Sequence, residues 1–586
     1  MSKKRSRPSG SGRYAFLLVC FGILFVLIGV RLVWIQGVKS RAYAEMAFNQ
    51  RLRDIELPPR RGTIYDREGE PLAVSIEART VFAAPNRIKD KAAVAKALVD
   101  TIGGDEAAYL EKLNKHTGFE YIARKVDVDR TDALEKLNLD GIGFLDDYRR
   151  LYPSGELACQ VLGFVGIDDK GLAGVESEYN EVLGGIPGVL LSERDPKGQP
   201  IPGGVHKEIP PTHGHDVVLT IDKDIQYEAQ VQISKATKKW GAKRGSVVIM
   251  SPRTGEIYAM ASSPGFNPNQ YGKAKAAAIR NTPISDAYEP GSTLKTLTAS
   301  AVIEQGLYTP ASVFHLPPTI RVGDRTIHES HPRGTVNWTL TEILTNSSNV
   351  GTVKLGQKLG KDGLYEGLAA FGLTEKTGVD FPGEAKGWLP EPANWSSSSI
   401  GNIPFGQGVS VTSLQLARAV AAVANDGELT TPHFLLDVPQ DKSAVPTWPK
   451  RRAVTKGTAA QVNGMLQHVV TEGTGKEAAV DGYTVAGKTG TAQKAVPRLG
   501  YAGGKFVGSF IGFLPAEDPQ VLVCVVLDEP SNAIYGGTIA APTFSKLAAF
   551  SVSHLKVPPS SVEADSQGKT TETQGVGKAS DQGSRD

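Results

Sequence analysis

Cysteine is almost missing from this chain, with three in 586 residues. Cys20 sits in an apolar run, Cys524 in an apolar strand-like segment and Cys159 apart from both, so no disulfide framework organises the fold. Cysteine and histidine are never grouped at a convincing metal spacing. His206, His213 and His215 fall in a Pro/Gly-rich stretch that reads as a linker. His328 and His331 flank Glu329 but do not form the H-E-x-x-H pattern of zinc helices, and they read as local hydrogen-bonding residues near Ser347. No metal and no cofactor are expected. An excess of charge is also missing: 65 Lys and Arg against 62 Asp and Glu leave a net charge of +3. Nothing therefore draws the whole chain onto nucleic acid. The length accommodates about two to four domains.

What is present begins at the N-terminus. Lys3, Lys4, Arg5, Arg7 and Arg13 precede a mostly apolar, uncharged run from Tyr14 to Val30, which continues past Arg31 through Leu-Val-Trp-Ile. With Arg31 snorkelling, this run is long enough for a bilayer core of about 30 Å. The positive flank stays inside, so residues 1–13 read as a cytoplasmic basic tail and 14–36 as a single-pass anchor in the cytoplasmic (inner) membrane, with the bulk of the chain outside. The competing reading is a cleaved signal peptide. Ala42-Tyr43-Ala44 offers a small-residue site for it, but Arg31 and Lys39 intervene. At the other end, residues 556–586 are rich in Ser, Gly, Thr, Gln and acidic residues and read as a disordered tail.

Three short motifs carry the chemistry: Ser292-Thr293-Leu294-Lys295, Ser347-Ser348-Asn349 and Lys488-Thr489-Gly490-Thr491. A Ser hydroxyl needs a base to become a nucleophile. Lys serves as that base only when neutral, which burial or a second cation promotes. Glu289-Pro290-Gly291 reads as a turn and Thr293 to Gln305 as a helix ending at Gly306. Ser292 then starts the helix, with Lys295 one turn along on the same side. The helix dipole at that end favours an alkoxide and disfavours an ammonium. Two partial copies are set aside on context: Lys376-Thr377-Gly378 lies in a turn-rich stretch, and Ser553 with Lys556 runs into Val-Pro-Pro and the polar tail.

A decoy overlaps the third motif. Gly482 to Thr489 fits G-x-x-x-x-G-K-[ST], and Leu522 to Glu529 fits an acidic strand end, the pattern of a P-loop ATPase. A P-loop needs a strand before its first Gly and a helix after its Lys. Thr474 to Asp481 is polar and Gly-bearing, and Gly490 to Gly504 contains Pro497 and several glycines, so neither element is expected.

The order and spacing of the three motifs resemble those of penicillin-binding proteins and serine β-lactamases. Further residues resemble the class B penicillin-binding proteins: Arg60 to Arg67, Arg150-Leu-Tyr-Pro153, Gly163 to Gly166 and Gly171 to Glu176 in the pedestal, with Gln160 and Ala173 departing from common His and Glu. Arg280-Asn281, Asp380 to Glu384, Phe405 to Gly408 and Val411-Thr412 match in the catalytic region. The resemblance implies an α+β fold: a transpeptidase domain (215–555) with an antiparallel sheet between helical layers, on an elongated α+β pedestal of dimerisation type (37–214), behind one transmembrane helix. The pedestal should hold helices near Asp90 to Thr101 and Ala133 to Leu137, and Val217 to Asp222 should be the lead-in strand.

The implied activity is a monofunctional peptidoglycan D,D-transpeptidase of the cell-division type. Ser292 would be acylated by a stem peptide, with Lys295 as general base, Ser347 as proton relay and Lys488 as source of positive potential. Asn349 would hold the substrate backbone, and Thr489 and Thr491, around Gly490, its carboxylate. The N–H groups of Ser292 and Thr491 would form the oxyanion hole. Implied partners are stem peptides, β-lactam antibiotics, a membrane glycan polymerase and division proteins. The space before the catalytic region leaves no room for a glycosyltransferase domain. No Glu-x-x-Leu-Asn of the kind that activates water in class A β-lactamases follows Asn349. A β-lactam receptor or β-lactamase using the same acylation site is the alternative, and a vestigial scaffold a further one.

Overall fold

A computed structural model describes residues 11–193, 206–494 and 501–560. Of the expected basic tail (1–13) the part before residue 11, and of the expected disordered tail (556–586) the part from 561 on, lie outside the described residues, while Val557 and Ser560 are hydrogen-bonded to the catalytic region rather than disordered. Ser11–Val33 is one α-helix, prolonged by a π-helical turn at Trp34–Val38. The 27 residues Gly12–Val38 are long and apolar enough to cross a membrane, and their large apolar side chains are exposed rather than packed on the protein. A helix apolar all round and left uncovered suits a lipid environment.

The next region is built on a long strand, Pro71–Ala83, paired on its two sides with Glu120–Asp127 and Ile142–Leu151. The helix Lys91–Ile102 packs beside it through Val94, Ala95, Leu98 and Ile102, and Asp90 caps it by accepting the Ala93 N–H at 2.9 Å. That helix was legible. The one expected at Ala133 to Leu137 instead spans Val128–Glu135, springing from the end of a strand and burying Thr131 and Leu134. The same sheet continues through Ile64–Tyr65 to Val217–Leu219 and Leu435–Asp437. Val217–Leu219 runs parallel to Ile64–Tyr65 and antiparallel to Leu435–Asp437, so the expected lead-in strand joins the two regions in one sheet.

The pedestal motifs meet in one buried ionic cluster. Glu176, fully buried, accepts from Arg61 Nε at 2.6 Å, from Arg150 Nε at 2.6 Å and from the Tyr152 hydroxyl at 3.2 Å. Burial pushes the Glu176 carboxyl up, and the charges of Arg150 and Arg61 outweigh it, leaving the group below the ordinary range. Gln160 bridges pedestal and catalytic region by donating to the carbonyls of Pro264 (3.2 Å) and Ala278 (3.0 Å).

The catalytic region is a five-stranded antiparallel sheet in the order Ile257–Ser263, Arg244–Met250, Val521–Asp528, Phe506–Leu514, Ala486–Gln493. Side chains alternate between its faces. Val247, Ile249, Val523 and Val525 pack with the helices Lys223–Trp240 and Ala541–His554. Val248, Met250, Cys524 and Val526 join the helical lobe that carries Leu294, Leu297, Leu416 and Val420. This is the expected α+β sandwich of helices, sheet and helices. After the last helix the chain folds back: the Tyr483 hydroxyl donates to the Val557 carbonyl (2.7 Å), the Thr484 N–H to Ser560 Oγ (2.9 Å), and the Ser560 N–H to the Gly482 carbonyl (2.9 Å).

Candidate active site

Gly291, at φ +56°, starts a 3₁₀ turn, Gly291–Leu294, that feeds the helix Lys295–Glu304. The nucleophile candidate therefore sits in a tight turn rather than at the first residue of a regular helix. Thr293 Oγ1 closes the turn on the Pro290 carbonyl at 2.8 Å. Leu294, Leu297 and Val302 bury the helix, and Gly306 ends it at φ +65° as expected. Ser292 itself is half-buried.

Lys295 is wholly buried, and its ammonium donates to the Ser347 carbonyl (2.6 Å), Asn349 Oδ1 (2.7 Å) and Ser347 Oγ (3.3 Å). Its pKa is pushed down to about 7 by burial, with the negative charge of Glu329 pulling the other way. The Phe405 ring lies 6.0 Å from the same ammonium. Ser347 has φ +54°, a left-handed conformation that costs a non-glycine residue roughly 1–3 kcal/mol. In that conformation its carbonyl reaches Lys295. Ser348 then caps the helix Asn349–Ala370 by accepting the Gly351 N–H at 2.9 Å.

Lys488 to Thr491 lie on Ala486–Gln493, the terminal strand of the sheet, whose outer edge has no strand partner among the described residues. Such an edge can pair with an extended peptide. Lys488 is buried, and its proton affinity falls well below that of an ordinary lysine, from burial first and the nearby Lys295 charge second. Burial thus works against the positive potential expected of Lys488; an anionic substrate group would restore it. Thr489 Oγ1 bonds Thr474 Oγ1 at 2.8 Å, and Thr491 Oγ1 accepts the Gly536 N–H at 3.0 Å. At Gly490 a Cβ would come within 2.9 Å of Thr293 Cγ2 and 3.1 Å of the Pro290 carbonyl oxygen, so the strand touches the Ser292 turn there.

All three motifs therefore converge. The further matches support them from behind. The Gly291 N–H donates to the Gly406 carbonyl at 3.0 Å, and Gly408 N–H and the Tyr501 hydroxyl donate to Glu289 at 3.0 and 2.7 Å. A Cβ on Gly406, which has φ +86°, would lie 2.1 Å from the Gly291 carbonyl oxygen. Gly406→Ala should therefore displace the Ser292 turn and slow acylation by about 100-fold, read as the rate of labelling by a fluorescent penicillin. The decoys find other places. Lys376 is exposed, and Thr377 beside it is held by Glu384, which accepts its N–H and hydroxyl at 2.6 Å. Gly487 to Thr491 form a strand and not a phosphate-cradling loop, which removes the P-loop reading.

One site residue escaped the sequence. Glu329 accepts the Asn349 N–H and the Ser348 hydroxyl, each at 2.6 Å, while the carbonyl of His328 accepts Asn349 Nδ2 at 2.9 Å. The histidines drew notice for their side chains; it is the backbone of one and the acid beside it that act here. The spacing to Ser348 and Asn349 carried no periodic signal, since the contact is made where the end of the hairpin Thr319–His328 meets the start of the helix Asn349–Ala370.

Comparison with known proteins agrees with this geometry. Residues 245–549 match the penicillin-binding protein transpeptidase domain, and residues 56–219 the penicillin-binding protein dimerisation domain. The chain is 34% identical to a probable peptidoglycan D,D-transpeptidase, PbpC, of Pseudomonas aeruginosa over 94% of its own length and 97% of the relative's. It is 31% identical to the peptidoglycan D,D-transpeptidase FtsI of Escherichia coli, over 97% and 96%. Penicillin-binding protein 3 of Mycobacterium tuberculosis, solved with aztreonam, superposes with a TM-score of 0.68 at 32% identity, covering 86% of this chain and 98% of that one. The chain belongs to the class B penicillin-binding protein transpeptidases of the division type.

Proposed function

We propose that this protein cross-links peptidoglycan by acyl transfer through Ser292. The observation that carries the reading is the buried Lys295, which adjoins the Ser292 turn and bonds the Ser347–Asn349 turn. Ser292 Oγ attacks the penultimate D-Ala carbonyl of a stem peptide as Lys295 takes its proton. The C–N bond then breaks, and a proton passed by way of Ser347 leaves with the terminal D-Ala. The amine of a second stem attacks the ester, displaces Ser292 and completes the cross-link. Backbone N–H groups of Ser292 and Thr491 stabilise the oxyanion, an effect of roughly 3 kcal/mol per donor. Asn349 aligns the substrate backbone, Thr489 and Thr491 receive its carboxylate around the close-packed Gly490, and Lys488 supplies positive potential there.

In this reading residues 37–214 are the pedestal, 215–555 the transpeptidase domain, and the apolar helix a single-pass anchor that keeps both outside the cytoplasmic membrane. A membrane glycan polymerase and division proteins are its working partners, and β-lactams, as acyl donors that mimic the stem terminus, its inhibitors. The test is transfer: full-length protein given a stem peptide ending in D-Ala-D-Ala and a labelled acceptor amine should release D-Ala and label the peptide. Hydrolysis without transfer would overturn the assignment. The rate should also follow the neutral fraction of Lys295. Below about pH 7 it should fall roughly tenfold per pH unit, because the protonated amine cannot accept the Ser292 proton.

A further inference from the structure

Lys295 and Lys488 are both buried, and the Lys295 charge disfavours the proton on Lys488. The negative charge closest in effect to Lys295 comes from a group that belongs to none of the three motifs. Glu329 follows the short strand Arg325–His328, and its side chain is only 7% exposed. One carboxylate oxygen accepts the Ser348 hydroxyl at 2.6 Å and is paired with Arg333 Nη2 at 2.5 Å; the other accepts the Asn349 N–H at 2.6 Å. The Ser348 hydroxyl donates to Glu329 while accepting from Gly351, so its orientation is single-valued. Asn349 is held at both ends of its amide, Nδ2 on the His328 carbonyl and Oδ1 on Lys295. Every hydrogen bond of the Lys295 ammonium thus ends on the turn that Glu329 holds.

We propose that Glu329 is a positioning residue of the acylation step: it locks the Ser347–Asn349 turn onto Lys295. Its negative charge also favours the protonated form of that amine. The inference rests on Lys295 being the base. The carboxylate also sits at the N-terminus of the helix Asn349–Ala370, where the helix dipole stabilises a negative charge. The charged and titratable groups around the cluster among the described residues are few. Lys488 faces Lys295 from the catalytic strand, Arg333 faces Glu329 from the loop, and His328 and His331 flank Glu329, with the His331 ring stacked on Tyr535 at 5.1 Å. Arg333 is itself held by the Leu316 carbonyl at 3.0 Å and lies over the Trp338 ring at 4.8 Å. Its charge tempers that of Glu329, which gives the two residues opposite influence on Lys295.

The test is single-turnover acylation of the full-length, detergent-solubilised protein by a fluorescent penicillin, followed from about pH 5 to 9. Glu329→Gln keeps the shape and removes the charge. Its acid limb should move to lower pH by about half a unit or more, because Lys295 gives up its proton more readily. Its plateau should drop by about tenfold as the turn loosens. Arg333→Gln should move the limb the other way, since Glu329 then acts undiluted. A purely structural role would lower plateaus and leave both limbs in place, and that result overturns the proposal. If Glu329→Gln does not fold, the direction of the Arg333→Gln shift decides by itself. A wild-type rate that is flat across this range with Ser292 labelled removes Lys295 as the base, and this inference with it. Failure of labelling at Ser292 in the wild type instead overturns the proposed function itself.

Discussion

Ser292→Ala should lose all covalent labelling by penicillin and reduce transpeptidation by on the order of 10⁵-fold while the protein stays folded. The hydroxyl is half-buried in a turn closed by backbone contacts and Thr293, so its removal leaves those contacts intact. Lys295→Ala should abolish acylation nearly as completely, for two reasons: the proposed base is gone, and the carbonyl of the left-handed Ser347 loses its partner. Lys376→Ala is the control for the decoy. It is exposed, and its loss should leave labelling unchanged. Mass spectrometry of the penicilloyl peptide gives the answer directly; an adduct on any other serine would remove Ser292 from the mechanism.

Glu176→Ala should produce the largest loss of stability. It leaves two guanidiniums, Arg61 and Arg150, in a site where their side chains are 2% and 4% exposed and have lost their counter-charge. Breaking one side of a buried pair costs about 3–5 kcal/mol. With a transition of this size that corresponds to a fall of roughly 10 °C in the melting of the pedestal, readable by calorimetry. Asp146→Ala removes a carboxylate that is 98% exposed beside Arg79 and should leave the transition where it is. Equal shifts in the two variants would show that the Glu176 cluster is not the clamp of the pedestal motifs.

Residues whose roles are local were the legible ones. The Glu289-Pro290-Gly291 turn and the stop at Gly306 bracketed the helix that follows Ser292. The 3₁₀ start was missed because it depends on Gly291 adopting a positive φ, which a glycine permits but does not announce. The parallel pairing of Ile64–Tyr65 with Val217–Leu219 joins segments about 150 residues apart, and no local pattern encodes such a partner. Glu329 was invisible for the same reason in miniature: its bonds to Ser348 and Asn349 arise from a hairpin that brings an acid to a helix N-terminus.

The strand Val217–Leu219 closes the stretch that matches the dimerisation domain, and it pairs with Ile64–Tyr65 on one side and Leu435–Asp437 on the other. A fragment cut at 214/215 would begin with that strand stripped of its neighbour at Ile64–Tyr65, its N–H and C=O groups open on one side. An uncovered edge of this kind invites a second chain to complete it. The pedestal therefore acts as an edge guard, and a free catalytic half would carry a built-in site for self-association.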